Sequence, residues 1–178
     1  GRIDILVNNA AAPGGIARGP LASISDDDVL DDLNTKVVGY LRCARAVGPY
    51  MTEQGWGRIV NIASIFGREH GGTAPYMAAK ASVIAVTKHL ALELAPTGVC
   101  VNSIAPGSIK HDQGSWERFV DNNSTEVVDE FISRNMPMGK FGWPEPVGAT
   151  VAFLASQQAG LILGACINVD GGQSHNLY

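Results

Sequence analysis

Four short apolar runs, each closed by turn-forming residues and separated from the next by a stretch of helical period, decide what kind of fold this chain can adopt. The runs are Ile3 to Val7, ending in Asn8-Asn9-Ala10; Arg58 to Ala63, followed by Ser64; Val99 to Ile104, ending at Pro106-Gly107; and Ala165 to Val169, closed by Asp170-Gly171-Gly172. A Pro/Gly segment from Pro13 to Pro20 reads as the exit loop of the first. Ser25-Asp26-Asp27-Asp28 then supplies a helix cap with an acidic first turn. Val29, Leu33, Val37, Leu41 and Ala44 recur at helical spacing toward Met51, and Gly55-Trp56-Gly57 stops the helix. A second long helix, rich in small residues, is predicted from Pro75 to Leu94, broken by Pro96-Thr97-Gly98. The polar stretch from Ser108 to Asn123 is expected to be a lid or substrate loop, with two more helices over Glu126 to Asn135 and Glu145 to Ala155.

Strands alternating with helices predict an α/β domain: a parallel sheet with right-handed crossovers and helices on both faces. Ligands of such sheets sit beyond the carboxyl ends of the strands. The clusters Asn8-Asn9, Ser64 and Pro106-Gly107 close three strands, so they are expected to converge on one crevice. The 178 residues fit one domain spanning 1–178. With 46% hydrophobic and 17% charged residues, disorder is excluded. A net charge of −4 without a basic block argues against nucleic acid as a partner. Cys43, Cys100 and Cys166 are far apart and lack C-x-x-C spacing, which suits reduced thiols in a cytoplasmic protein rather than a disulfide or metal framework. No stretch approaches a membrane span. The overlapping sequons at Asn122 and Asn123 are read as chance.

Tyr76 and Lys80 are four residues apart on a predicted helix and share a face. An ammonium beside a phenol favours phenolate and brings the tyrosine toward the working range of a general acid/base for an alcohol or carbonyl oxygen. Ser64, at a strand end and a short Gly-rich loop before Tyr76, either closes a turn or donates to the same substrate oxygen. Asn34 interrupts an otherwise apolar helix, where an amide has poor propensity; it either orders a water near Lys80 or bonds locally.

Asn8-Asn9-Ala10-Ala11, Ser64 with Tyr76 and Lys80, Asn102 with Pro106-Gly107, and Val169-Asp170-Gly171-Gly172 follow one another in an order that resembles the short-chain dehydrogenase/reductase family, over residues 1 to 172. The resemblance implies a Rossmann-like doubly wound parallel sheet, NAD or NADP as cofactor, and hydride transfer to or from a small-molecule ketone or secondary alcohol. An oxoacyl group, a polyol or a cyclic alcohol is the implied substrate class. Tyr76 is implied as the catalytic acid/base, Lys80 as its partner and a ribose ligand, Ser64 as the group that positions the substrate oxygen, and Asn34 as the holder of a relay water. Asn8 to Ala10 would support the first strand and line the adenosine side, with Pro106, Gly107 and Ile109 along the nicotinamide. His111 stands where the family usually has a hydroxyl residue, and Ala11 where it has glycine. A homodimer or homotetramer is implied, packed through the helices from Asp28 to Met51 and from Pro75 to Leu94, the latter offering Ala78, Ala79, Ala81, Ala85 and Ala91. A non-catalytic nucleotide-binding relic, or an epimerase or dehydratase using the same Tyr/Lys pair, are the competing classes.

Gly14-Gly15, Gly71-Gly72 and Gly171-Gly172 do not follow a strand with G-x-G-x-x-G spacing. The family places that phosphate turn upstream of Asn8. The expectation is therefore a domain truncated at its N-terminus by two to three strand-helix units, roughly 70 to 80 residues at about 30 per βαβ unit, and inactive by itself.

Overall fold

A computed structural model describes residues 1–10 and 21–177. The exit loop expected from Pro13 to Pro20, and Ala11, lie outside the described residues. Strand β1 (Ile5–Asn8) leads to a continuous helical rod made of α1 (Asp26–Leu33), one π turn (Asn34–Val38) and α2 (Gly39–Gln54). Then come β2 (Gly57–Ile62), α3 (Ala74–Leu94), β3 (Val99–Pro106), three helices α4 (Ser115–Asp121), α5 (Thr125–Asn135) and α6 (Pro144–Leu154), and β4 (Cys166–Val169).

Local chemistry sets these boundaries. Ser25 and Asp28 form a reciprocal capping box: the Asp28 N–H donates to Ser25 Oγ at 3.2 Å and the Ser25 N–H to Asp28 Oδ2 at 3.0 Å. Gly55, left-handed at φ +69, ends α2. Thr73 caps α3 by accepting the Tyr76 N–H, and Pro75 in the first turn forgoes an N–H that no helical carbonyl could have met. The expected lid is not all loop. Its second half is α4, because Trp116 and Phe119 leave solvent to pack with Phe131 of α5 and Phe141, ring centroids 5.0 to 6.5 Å apart.

The four strands are parallel and lie in sequence order β1-β2-β3-β4. Side chains alternate across the sheet. Ile59, Val99 and Val101 pack against Ala44 and Met51 of α2 and Ala91 of α3, whereas Val60 and Ile104 on the other face pack against Leu154 of α6 and Ala159. Helices therefore cover both faces, as a sheet of near-continuous apolar strands requires. All three connections advance in one direction along the sheet, and the first two run over one face while α6 covers the opposite one. The third connection has the opposite hand to the first two, so uniform right-handedness is not kept.

Several residues of the recognised pattern hold the scaffold. Asn102 clips the approach to β4, donating to the Ile162 carbonyl at 2.7 Å and accepting the Ala165 N–H at 3.0 Å. Asp170 accepts the N–H groups of Gly172 and Ser174. All three cysteines are free thiols. Among the described residues no helix is long and apolar enough to cross a membrane.

At the entry to β3, Gly98 has φ +80, and a Cβ there would fall 2.2 Å from the Gly55 carbonyl oxygen. Gly98→Ala is expected to lower stability by more than the roughly 1 kcal/mol of left-handed alanine alone, because the two turns must also separate. Urea unfolding measures this, and an unchanged midpoint would contradict the close approach of the turns.

Candidate active site

Ser64 follows the end of β2, with extended backbone, and its Oγ accepts the Phe66 N–H at 3.2 Å, which fixes the hydroxyl at the sheet edge. Tyr76 lies in the first turn of α3, with the Ser64 hydroxyl near enough its phenol to draw it below the value burial alone would give. One turn on, Lys80 is buried, 4% exposed, and its Nζ donates to the carbonyl of Ile62 at 2.7 Å and lies 5.7 Å from the centroid of the Tyr76 ring. The loop between Ser64 and Tyr76 approaches α3 closely: a Cβ at Gly67 would stand 2.8 Å from the Lys80 carbonyl. The structure thus brings Ser64, Tyr76 and Lys80 together at the carboxyl end of β2.

Asn34 is not with them. It is exposed, and its backbone carbonyl closes the π turn by accepting the Gly39 N–H. Positions 32 and 36 are one turn apart and face inward, which puts the intervening position 34 about half a turn away. Lys36, 2% exposed, is ion-paired with Asp32, 1% exposed, and its Nζ lies 5.8 Å from the Tyr76 ring centroid. The signal missed in the sequence is a charged i, i+4 pair set inside the apolar stripe of Val29, Leu33, Val37 and Tyr40. Among the described residues, Asp32 Oδ2 is buried without a hydrogen-bond partner.

The other expected residues divide. Asn8 is buried, and its amide donates to Asn61 Oδ1 at 2.8 Å, with Asn61 donating in turn to Thr87; this locks β1 to β2 and α3. Ala10 is exposed, and its carbonyl accepts from Tyr40 at 3.4 Å. Pro106 and Gly107 are half-buried at the carboxyl end of β3, where the Gly107 N–H donates to Val169. Ile109 bridges to Gly142. His111 is exposed, and its backbone carbonyl accepts the Gly114 N–H in the turn before α4.

The electrostatics carry two opposed pulls. Burial pushes the Tyr76 phenol above its ordinary value, the Ser64 hydrogen bond draws it down, and the Asp32 carboxylate raises it; the balance is upward. Burial also loosens the proton of Lys80, and Lys36 repels it further, against the attraction of Asp32, bringing Lys80 down to about 8. The expected lowering of Tyr76 by a neighbouring ammonium is not the net result here, because burial of the phenol, with the Asp32 carboxylate beside it, outweighs the downward pull. Tyr40, pushed up to about 12 by burial and then by Tyr76, remains a phenol and a donor.

A parallel sheet covered on both faces, with a serine, a tyrosine and a lysine gathered at one strand's carboxyl end, defines a Rossmann-type oxidoreductase scaffold, and the chain belongs to the short-chain dehydrogenase/reductase family. A family model described as enoyl-(acyl carrier protein) reductase matches residues 1–174. Nodulation protein G of Azospirillum brasilense is 40% identical over 177 residues, 98% of this chain and 68% of the relative. A 3-oxoacyl-(acyl-carrier-protein) reductase of Synechocystis sp. is 42% identical over 176 residues, 96% of this chain and 65% of the relative. The crystal structure of an actinorhodin polyketide ketoreductase variant with NADPH superposes with a TM-score of 0.87 at 37% identity, covering 99% of this chain and 69% of that one. The chain thus spans about two thirds of the length of these relatives.

Because Ser64 draws the Tyr76 phenol down, Ser64→Ala is expected to move its ionisation to higher pH. Tyrosinate absorbance, with a Tyr76→Phe protein as the blank, reads the midpoint, and a lower one would reverse the role given to Ser64.

Proposed function

We propose that the full-length protein is an NAD(P)-dependent oxidoreductase that moves hydride between the nicotinamide and a ketone or secondary alcohol, with an oxoacyl, polyol or cyclic alcohol substrate. The observation that carries this reading is the Ser64–Tyr76–Lys80 arrangement at the carboxyl end of β2. The cofactor fits the donor set. Lys80 has three N–H donors and gives one to Ile62, which leaves donors for a ribose diol. Pro106, Gly107 and Ile109 stand on the same edge of the sheet, and Ala10 lies at the end of the neighbouring strand. Asn8 contributes through β1, since its amide is already bound to Asn61. When bound, the nicotinamide supplies or accepts the hydride.

The residues of this chain handle the proton. In reduction Tyr76 gives its phenolic proton to the substrate oxygen as negative charge grows there; in oxidation the phenolate takes that proton from the alcohol. Ser64 donates to the same oxygen and, between turnovers, to the phenol. Lys80 stabilises the phenolate, and its loosened proton suits it to refill Tyr76. The polyketide ketoreductase and the 3-oxoacyl reductase support a carbonyl attached to an acyl chain. The aromatic cluster of Trp116, Phe119, Phe131 and Phe141 offers an apolar wall after β3 for such a chain.

A homodimer or homotetramer also belongs to this proposal. Along α3, Ala74, Ala78, Ala81, Ala85 and Leu92 are exposed and small or apolar, a face that lets a second helix approach. Ala79 and Ala91, expected on that face, are instead fully buried in this chain and cannot serve it.

Tyr76→Phe in the full-length protein is expected to cut turnover at least about 10²-fold while leaving cofactor affinity within a small factor. Lys80→Ala should lose both rate and cofactor affinity. Steady-state kinetics with a ketone panel and NAD(P) titration test this, and near wild-type turnover in Tyr76→Phe refutes the function. Ala81→Glu, by putting a charge on the exposed face of α3, should reduce the particle mass seen by light scattering; an unchanged mass, or a monomeric wild type, removes this interface.

A further inference from the structure

The Asp32–Lys36 pair lies outside the Ser64–Tyr76–Lys80 set, yet it is among the most deeply buried features of the molecule. Two buried ammonium groups flank Tyr76: Lys36 Nζ at 5.8 Å and Lys80 Nζ at 5.7 Å from the ring centroid. One carboxylate, Asp32, stands with them, bound to Lys36 through one oxygen while the other has no partner among the described residues. Among the described residues, the titratable groups around the phenol are Asp32 from α1, Lys36 from the π turn, Tyr40 from α2, and Lys80 from α3 itself; the turn after β2 adds the Ser64 hydroxyl. With Tyr76 as phenol and both lysines charged, the cluster holds one unbalanced positive charge. With Tyr76 as phenolate it is neutral.

We infer that Asp32 and Lys36 are positioning residues for Tyr76 and Lys80: a fixed ion pair, set by the π turn, whose charges decide which protonation state of the Tyr76–Lys80 pair the buried site favours. This rests on the acid/base reading of Tyr76 given above. Lys36 supplies the cation that makes phenolate the neutral state, and Asp32 keeps the cluster from carrying two excess charges while Tyr76 is a phenol. Pairing through a single oxygen leaves part of the Asp32 charge facing the site. Lys36 repels Lys80, and Asp32 acts on both Lys80 and Tyr76 in the upward direction. A pair that served packing alone would have no reason to stand against the one tyrosine that titrates in the reaction.

The test is a signed cycle in the full-length protein, read first as tyrosinate absorbance with Tyr76→Phe subtracted and second as the pH profile of kcat/KM. Asp32→Asn should lower the ionisation midpoint of Tyr76 and Lys36→Met should raise it, each by about one pH unit. The double variant should fall between them and Lys36→Arg should stay near the wild type. Should a single variant not fold because it strands a buried charge, the double variant carries the test alone. It removes the cation that repels Lys80, whose effect there exceeds that of Asp32, so the pH dependence of Lys80 acylation, mapped by mass spectrometry, should move upward. An unmoved or lowered Tyr76 midpoint in Lys36→Met, an unmoved or raised one in Asp32→Asn, or an unmoved Lys80 in the double variant overturns the inference. The two readings separate cleanly. If Tyr76→Phe keeps its turnover while the absorbance midpoints still shift, the acid/base function fails and the electrostatic role of the pair stands.

Discussion

The hydrogen bond from Lys80 to the carbonyl of Ile62 is the joint between fold and chemistry. It ties α3 to the last residue of β2, and so sets Tyr76 within reach of the serine two residues beyond that strand. The bond requires α3 to lie close against β2 and β3, which the burial of Ala79, Val83, Thr87 and Ala91 on its inner face achieves. It also requires the Gly-rich loop before Tyr76 to double back on the helix, which Gly67 permits. An ammonium that must be buried needs such an acceptor, since an unpaired charge in this position would sooner lose its proton than stay.

Magnitudes separate what stabilises this protein from what equips it. A buried ion pair is weak evidence for stability: replacing both partners by apolar groups of similar size is often neutral, whereas removing one typically costs about 3 to 5 kcal/mol. The apolar packing of Met51, Ile59, Val99 and Val101 meets no such offset, because it strands no polar group. The fold therefore stands on its two apolar layers. Asp32, Lys36 and Lys80 are charges that the layers were built to tolerate.

The elements were legible because each carries its own local chemistry. Ser25 with Asp28 marks one helix start, Gly55 its end, and Val99 to Ile104 reads as strand in any window. Tyr76, Lys80 and Ser64 were legible by spacing and by their places at the ends of elements. Asn34 misled because residue type was weighed above helical phase: an amide inside an apolar helix drew attention, while Asp32 and Lys36 on the inward face carry no local mark of their burial. Burial of charge is a tertiary fact, and no local pattern announces it. The same holds for Ala79 and Ala91, which share composition with Ala78 and Ala81 but face the sheet. The fate of Trp116 depended on Phe131 and Phe141, distant in sequence, and the hand of the third connection depended on which face was still open to α6.

That last connection has a kinetic side. Everything from Gly107 to Ala165 must be drawn in before β4 can pair with β3, and loop closure over such a length is entropically costly and slow to be rewarded. The connection between β2 and β3 is the shortest of the three, so β2, α3 and β3 can assemble from shorter-range contacts. Ser64, Tyr76 and Lys80 all belong to that β2–α3 unit, so the contacts that bring them together do not wait for β4.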